Sequence, residues 1–589
     1  MESTYKTSYR THTNGELIDK NENNEVKLCG WVQSKRDHGG LIFVDLRDRY
    51  GLTQIVIDPK NKSFKEGEHL RREDFIHING IVRLRPEEMI NKNLITGKIE
   101  VFVSELKLIT KAEIIPIEIE DRVEASEEVR LKYRYLDLRR PIMQKRLMLR
   151  HKIITTAREF FNQNNFIEIT TPLLVKSTPE GARDYVVPSR VHHGKFYALP
   201  QSPQLYKQLL MISGFDRYYQ IAICLRDEDL RMDRQPEHTQ FDLEMSCVTS
   251  GDIREFVESL YKHIFKEVLR INLEKFQVIS YKEAMEKYGS DKPDLRFNLE
   301  ITDVTEIAKN CQFKVFTDVI KNNGSVRCIN PEREFSRNEV DAYVGFSQEL
   351  GSKGMAWMKF ENGKLESNIA KYFSEEQLKQ LINKTKIKKG YLFFIADKPK
   401  KTFEIFGKLR LKLRDDLKLV NPEDFKFCWV NDFPLFAWNE EENRWEPEHH
   451  MFTMPKEEFI KDFEEKPGEV IGDLWDLVLN GIELGSGSIR VTKPELQRRI
   501  MKFIGLDEKE ANKRFGFLLE AYKYGAPIHG GMGLGVDRLS ALMAGINDIR
   551  EVIAFPKNKA AQNPMDECPS DITEKQLKEL HIKTETVKK

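Results

Sequence analysis

The run Tyr218-Tyr219-Gln220-Ile221-Ala222-Ile223-Cys224-Leu225-Arg226-Asp227-Glu228-Asp229 continues through Leu230-Arg231-Met232-Asp233-Arg234 into Gln235-Pro236-Glu237-His238-Thr239-Gln240-Phe241-Asp242-Leu243-Glu244. It reads as two strands flanking a charged loop. In the second strand Phe241, Leu243 and Met245 alternate with Gln240, Asp242 and Glu244. A period of two predicts an apolar set toward a core and a polar set on one open face. Arg226 shares a face of the first strand with Gln220, Ala222 and Cys224. An arginine and two carboxylates presented from a rigid sheet make a site for a substrate of mixed charge and phosphate. A solvated hairpin with surface ion pairs fits the same pattern.

Further along, Asn480-Gly481 is a strong two-residue hairpin signal. That turn pairs Leu479 with Ile482 and Val478 with Glu483. It predicts Asp476 on the same sheet face as Glu483, diagonally across the strands and within reach of a common ion. Two exposed acids on a hairpin satisfy the pattern as well. Gly531-Met532-Gly533-Leu534-Gly535-Val536-Asp537-Arg538 reads as a glycine-rich strand entering a helix at about Asp537. Glycines permit close backbone approach, and a helix N-terminus favours phosphate.

Upstream, the segments 27–32, 41–46, 52–57, 75–83 and 98–106 are rich in Val, Ile and Phe. Five strands with polar turns point to a small closed barrel such as an OB-fold, or another small β domain. A charged stretch, 113–140, reads as a hinge. A helix is expected from Pro141, with Ile153, Ile154, Ala157, Phe160 and Phe161 on one face and Asn164-Asn165 at its end. The strand 166–170 runs into Pro172 and so belongs at an edge or interface. Residues 290–420 alternate helix and strand signals without a catalytic constellation, and read as an insertion.

The chain has 589 residues, which predicts two to four domains. Its 94 lysines and arginines balance its 94 aspartates and glutamates, which excludes a dedicated basic nucleic-acid coat protein but allows a local basic patch. The seven cysteines form no CxxC pair, so a reducing, cytoplasmic setting is expected. The start, Met1-Glu2-Ser3-Thr4-Tyr5-Lys6, is polar, and no run approaches a membrane span.

Cys224-Leu225-Arg226-Asp227-Glu228 resembles motif 2 of the class II aminoacyl-tRNA synthetases, residues 531–538 resemble motif 3, and the helix and strand ending at Pro172 resemble motif 1, which builds the homodimer interface in that class. Pro179-Glu180-Gly181-Ala182-Arg183-Asp184 and Gln201-Ser202-Pro203-Gln204-Leu205-Tyr206-Lys207 narrow the resemblance to the aspartate branch of bacterial type. Arg36-Asp37 followed by Leu41-Ile42-Phe43-Val44-Asp45-Leu46-Arg47-Asp48 agrees. The resemblance implies an α+β multidomain fold. An OB-fold anticodon-binding barrel occupies 1–113 and a hinge 114–140. A class II antiparallel sheet flanked by helices occupies 141–289 and 423–556, a GAD-like α+β insertion 290–422, and a C-terminal extension 557–589.

The same resemblance implies ATP and L-aspartate as substrates, Mg²⁺ as cofactor, and tRNA(Asp) as partner. Arg226 and Arg538 would be catalytic, on the α- and γ-phosphates. Glu180, Gln204, Lys207, Arg226, Asp242, His449 and Arg490 would bind aspartate. Asp227, Glu228, Gln235, His238, Glu483, Gly535, Val536 and Asp537 would join the two arginines around ATP, with Asp476 and Glu483 on the metal. Arg490 and Lys207 would meet the substrate side chain, and asparagine would leave their charges poorly compensated. Phe43 and Gln54 would read the anticodon beside Arg36 and Asp37, by stacking and base-edge hydrogen bonds. The strand pattern by itself also allows Phe43 inside the barrel.

Some positions depart from the family pattern. His238 stands where phenylalanine is usual, and an imidazole there bears on ATP affinity and pH dependence. Met451 replaces a common proline and Ser486 a common glycine. His38 matches enzymes that also charge tRNA(Asn), so both tRNAs are carried forward as partners. The rivals are an asparagine- or lysine-specific synthetase and a non-catalytic tRNA-binding or regulatory paralogue. The Arg490–Lys207 pair and the insertion argue against the former, and intact Arg226, Asp476, Glu483 and Arg538 against the latter.

Overall fold

A computed structural model describes residues 5–122, 124–178, 183–228 and 230–585. The chain divides into two compact units, one of residues 1–148 and 554–570, the other of 149–553 and 571–589.

The first unit holds a closed five-stranded barrel. Going round it, the strands are Glu25–His38, Leu41–Arg47, Leu52–Ile57, Ile99–Thr110 and Phe75–Leu84. Alternation builds it: Ile42, Val44 and Leu46 fill the interior with Leu28, Ile55, Ile78 and Val101. The first strand runs six residues past the expected Val32. An irregularity between Val32 and Ser34 lets pairing resume, and the Gly39-Gly40 turn, with φ of +61° and +80°, closes His38 onto Leu41. The charged stretch after the barrel folds around Asp137. Its buried carboxylate meets Arg130, Arg134 and Arg140 at 2.9, 2.6 and 2.7 Å. Burial alone would raise its pKa, but the three guanidiniums hold it below the usual carboxylate range.

The second unit is built on an eight-stranded sheet. Its order is Gln277–Ser280, Phe427–Asn431, Leu474–Leu479, Ile482–Ile489, His529–Gly535, Glu237–Ser246, Arg217–Leu225 and Ile167–Glu168. Only the two edge pairings are parallel. The segment before Pro172 is an edge strand as expected, but it shortens to two residues. The Pro141–Gln163 helix buries Ile153, Ala157 and Phe161, and Asn165 turns it off at φ +62°. The Ser250–Leu269 helix, capped reciprocally by Thr249 and Asp252, buries Ile253, Val257, Leu260 and Ile264. These side chains pack with Phe241, Leu243, Met532 and Leu534 of the sheet.

The inserted segment forms its own five-stranded sheet, in the order Ile301–Asp303, Ser325–Ile329, Gly390–Asp397, Ala356–Glu361 and Lys364–Glu366. The Gly390–Asp397 strand is apolar along most of its length because both faces are covered. Phe393 and Ile395 pack with Ile405 and Leu409 of the Pro399–Asp416 helix, while Leu392 and Phe394 pack with Phe316 and Leu381. Among the described residues no helix is long and apolar enough to cross a membrane.

Candidate active site

The face of the large sheet that carries Gln240, Asp242 and Glu244 lines a cavity of about 400 Å³ or supports its floor. Register explains the glycine-rich strand. Glu244 stands opposite Gly531, Asp242 opposite Gly533 and Gln240 opposite Gly535. A Cβ on Gly531 would overlap the Glu244 carboxylate, and one on Gly533 would come within 2.9 Å of the Gln240 amide. The glycines therefore make room for the polar side chains of the neighbouring strand, while Met532 and Leu534 alternate into the core.

At the closed end, charges are paired in an unbroken chain. Lys207 Nζ lies 2.9 Å from Asp242 Oδ2 and 3.3 Å from Glu244 Oε2. Arg490 donates to both oxygens of Glu244, at 2.9 and 3.1 Å. Its remaining N–H groups donate to Gly531 O at 3.2 Å, Ser488 Oγ at 2.6 Å and His450 Nε2 at 2.8 Å. A neutral imidazole carries one ring N–H, and both ring nitrogens of His450 face a donor, Nε2 facing Arg490 and Nδ1 the Phe452 N–H at 3.2 Å. Burial and Arg490 push that ring's pKa well below its ordinary value. Burial pushes the Asp242 carboxyl up to about 6 despite Lys207. Burial would also raise Glu244, but Arg490 and Lys207 hold it low. Asp242 Oδ1 and Gln204 Nε2 are buried at the cavity and have no hydrogen-bond partner. Glu180 lies outside the described residues.

At the other end stand Arg226, Glu228, Gln235, His238 and Arg538, all lining the cavity. Arg538 is oriented by Glu483 O at 2.8 Å and Asp233 Oδ2 at 3.3 Å. Burial, then Arg226 and Arg538, push the His238 pKa down to about 3, so the ring is neutral at physiological pH. Asp537 and Gly535 also line the cavity, and the Asp537 carboxylate accepts from Arg150 at 2.6 Å and from the Thr239 N–H at 2.7 Å. Val536 is fully buried, and Asp227, whose backbone pairs with Arg183, is not among the lining residues.

The Asn480-Gly481 turn forms as expected, with φ of +53° and +84° and Val478 opposite Glu483. The next step differs. A bulge between Leu477 and Val478 pairs Leu477 with Gly485 and Asp476 with Ser486, one residue beyond the regular register. Glu483 lines the cavity, whereas Asp476 is 2% exposed and lies behind His449, whose Nε2 is 3.2 Å from Asp476 Oδ1. Ser486, a departure from the family pattern, donates to Glu483 Oε1 at 3.4 Å. Among the described residues no three Asp, Glu, His or Cys side chains enclose a metal by themselves. Were a hard cation held by Asp476 and Glu483, it would need further oxygens, and phosphate oxygens would suit it.

On the barrel, alternation puts Phe43 on the outer surface, half-buried, and not in the core. Arg36 is its cross-strand neighbour and His38 shares that face, whereas Asp37 pairs with the interior Ile42 and takes the other side of the ribbon. Arg36 Nη2 donates to Asp45 at 3.2 Å and to Gln54 Oε1 at 3.3 Å, and Gln54 Nε2 donates to Glu100 at 2.9 Å.

Alternation places Glu244 on the correct face as one of two site carboxylates without naming its partner, and nothing local in the sequence singles out His450, Ser488 or Lys292. Period-two alternation was the available signal for Glu244. The others are joined to the site by pairings that no local pattern announces.

Comparison with known proteins places the chain in a family. A family model described as tRNA synthetases class II (D, K and N) matches residues 126–559, and one described as an OB-fold nucleic acid binding domain matches residues 26–109. The chain is 49% identical over 579 residues to a protein of Ruminiclostridium cellulolyticum named aspartate–tRNA ligase, covering 97% of this chain and 98% of the relative. It is 50% identical over 582 residues to one of Treponema denticola named aspartate–tRNA(Asp/Asn) ligase, with 97% and 98% covered. Among solved structures, an aspartyl tRNA synthetase from Entamoeba histolytica shares the fold at TM-score 0.58 and 18% identity, covering 96% of this chain and 94% of that one. An asparaginyl-tRNA synthetase from Pyrococcus horikoshii, complexed with asparaginyl-adenylate, does so at TM-score 0.56 and 20% identity, with 92% and 96% covered. Matched in this way over most of its length, the chain belongs to the class II tRNA synthetases of the D, K and N group.

Proposed function

We propose that this chain is an ATP-dependent aspartate–tRNA ligase. The observation that carries the reading is the buried ionic floor, in which two cations, Lys207 and Arg490, stand beside Asp242 and Gln204, each of which has an unpartnered polar atom. L-Aspartate has two carboxylates and one ammonium. Its ammonium suits Asp242 Oδ1, and its side-chain carboxylate suits Lys207 and the Nη1 edge of Arg490. That edge is held by two neutral partners, Ser488 and His450, which can exchange for a charged one. An asparagine amide would not compensate these charges. The full-length relatives named for aspartate support the same choice.

In the first step the α-carboxylate oxygen attacks the α-phosphorus of ATP and pyrophosphate leaves, giving aspartyl-adenylate. Arg226 carries the charge that develops on the α-phosphate, and Arg538 holds the γ-phosphate. His238 offers a neutral ring to adenine, and Gln235 contacts the nucleotide. Asp476 and Glu483 would hold Mg²⁺, which when bound would supply neutralisation of phosphate charge. In the second step the terminal ribose hydroxyl of tRNA attacks the acyl carbon and AMP leaves. The barrel, 1–113, reads the anticodon through Phe43, Arg36, His38 and Gln54. The homodimer forms through the segment ending at Pro172, and exposed Ile167, Leu173 and Leu174 support that surface.

His38, together with relatives named for both tRNAs, supports charging of tRNA(Asp) and tRNA(Asn). The test is attachment of aspartate to both transcripts side by side, with aspartate-dependent exchange of pyrophosphate into ATP as the control. Charging of tRNA(Asp) alone overturns the dual reading. No exchange by folded enzyme with magnesium overturns the activity itself.

A further inference from the structure

Lys292 lies on the segment that leads into the inserted domain, 191 residues from Glu483 in sequence, yet its Nζ is 2.7 Å from Glu483 Oε2. Both side chains are partly exposed, at 36% and 25%. The ammonium feels Glu483, Asp291 and Asp476, so it sits among three carboxylates. Arg538 approaches the other Glu483 oxygen only to 4.0 Å.

The reach of Lys292 is set two residues further on. Asp294 is buried and accepts from Arg296 at 2.8 Å and from Arg414 at 3.1 Å. Arg410, 2% exposed, donates to the carbonyls of Asp294, Phe297 and Leu299 at 3.1, 3.3 and 2.7 Å, and stacks on Phe297 and Tyr288. Arg410 and Arg414 belong to the Pro399–Asp416 helix of the insertion. Asp294 also abuts the turn of the Glu483 hairpin: a Cβ on Gly481 would come within 3.2 Å of Asp294 Cβ. The insertion thus grips the loop that presents Lys292 and touches the hairpin that presents Glu483.

We propose that Lys292 is a positioning residue, a built-in counter-cation that holds Glu483 before a divalent metal arrives and competes with that metal, and that the inserted domain sets its reach by clamping Asp294. This rests on the reading of Asp476 and Glu483 as metal carboxylates. A carboxylate oxygen engaged by an ammonium is a poorer ligand, so Lys292 keeps the metal site weak until phosphate oxygens complete it. The insertion then tunes metal entry from outside the cavity.

The full-length wild type, K292M, K292R and R414Q are titrated with Mn²⁺, alone and with ATP, and free metal is read by electron paramagnetic resonance after thermal unfolding has verified each fold. Without ATP, K292M is expected to bind Mn²⁺ at least about fivefold more tightly than wild type. K292R, which keeps the cation, is expected within about twofold of wild type, and R414Q to shift in the direction of K292M. In pyrophosphate exchange the magnesium concentration for half-maximal rate is expected to fall for K292M by more than kcat changes. Unchanged or weaker Mn²⁺ binding by K292M overturns the proposal, as does K292R behaving like K292M. R414Q indistinguishable from wild type overturns the clamp. If wild type binds no Mn²⁺ even with ATP, the metal-site reading fails and this inference with it. If wild type binds and K292M does not differ, this inference fails alone.

Discussion

Arg490 lies against Glu244 with two donors on two oxygens, 2.9 and 3.1 Å apart, and both side chains are at most 2% exposed. The pair spans 246 residues of sequence. Besides Glu244, the Arg490 guanidinium meets Gly531 O, Ser488 Oγ and His450 Nε2, so its orientation is fixed before any substrate enters. Glu244 thus aims Arg490, which lines the cavity, without lining it itself.

Replacing Glu244 by Gln leaves Arg490 and Lys207 buried without their shared charge. Removing one partner of such a pair costs about 2–5 kcal/mol. E244Q is expected to lower kcat/KM for aspartate by at least about 30-fold in pyrophosphate exchange, converting the lower bound at about 1.4 kcal/mol per tenfold. A wild-type value would remove Glu244 from the positioning of Arg490.

Asp242 Oδ1 is the unpartnered acceptor assigned to the substrate ammonium. D242N is expected to raise the KM for aspartate by about tenfold or more, the order of one lost charged hydrogen bond. Succinate, which lacks the ammonium, should inhibit wild type and D242N with similar constants. A parallel loss of succinate binding would mean that Asp242 acts only by orienting Lys207.

His238 has a pKa of about 3 in the folded protein against an ordinary 6.5, so the native state binds fewer protons than the unfolded one between those values. Its neutral ring costs no stability above pH 6.5, and stability is lost as pH falls from 6.5 toward 3. H238F abolishes that one contribution. Between pH 6.5 and 5 the variant is expected to lose less stability than wild type, by up to about 2 kcal/mol, in urea unfolding at the two pH values. Equal losses would mean that the ring is exposed to water and protonates freely.

Phe43 is half-buried on the outer face of the barrel beside Arg36. F43A is expected to raise the KM for tRNA by about 5- to 100-fold, the worth of one stacked base, with aspartate-dependent pyrophosphate exchange unchanged. Loss of both activities would point to a damaged barrel fold instead.

Gly481 has a φ of +84° and faces Asp294. G481A is expected to destabilise the protein by about 1–2 kcal/mol, the penalty of a left-handed backbone for a residue with a side chain. A thermal scan reads this directly, and an unchanged midpoint would mean that the hairpin tolerates another turn.

Local rules made much of the molecule legible in the sequence. The five barrel strands, the helix from Pro141, the Asn480-Gly481 turn and the open polar face of Gln240, Asp242 and Glu244 follow from periodicity and turn chemistry, which act over a few residues. The motif resemblance supplied the roles of Arg226, Gln235, Lys207, Arg490 and Arg538, and the structure brings all five to one cavity. Tertiary structure decided the rest. The bulge that moves Asp476 to Ser486 costs one residue of register and leaves no mark in a period-two pattern. Glu244 on Arg490 and Lys292 on Glu483 are long-range ion pairs, chosen by where folded elements meet, and hydrophobic spacing says nothing about which distant charge arrives beside which.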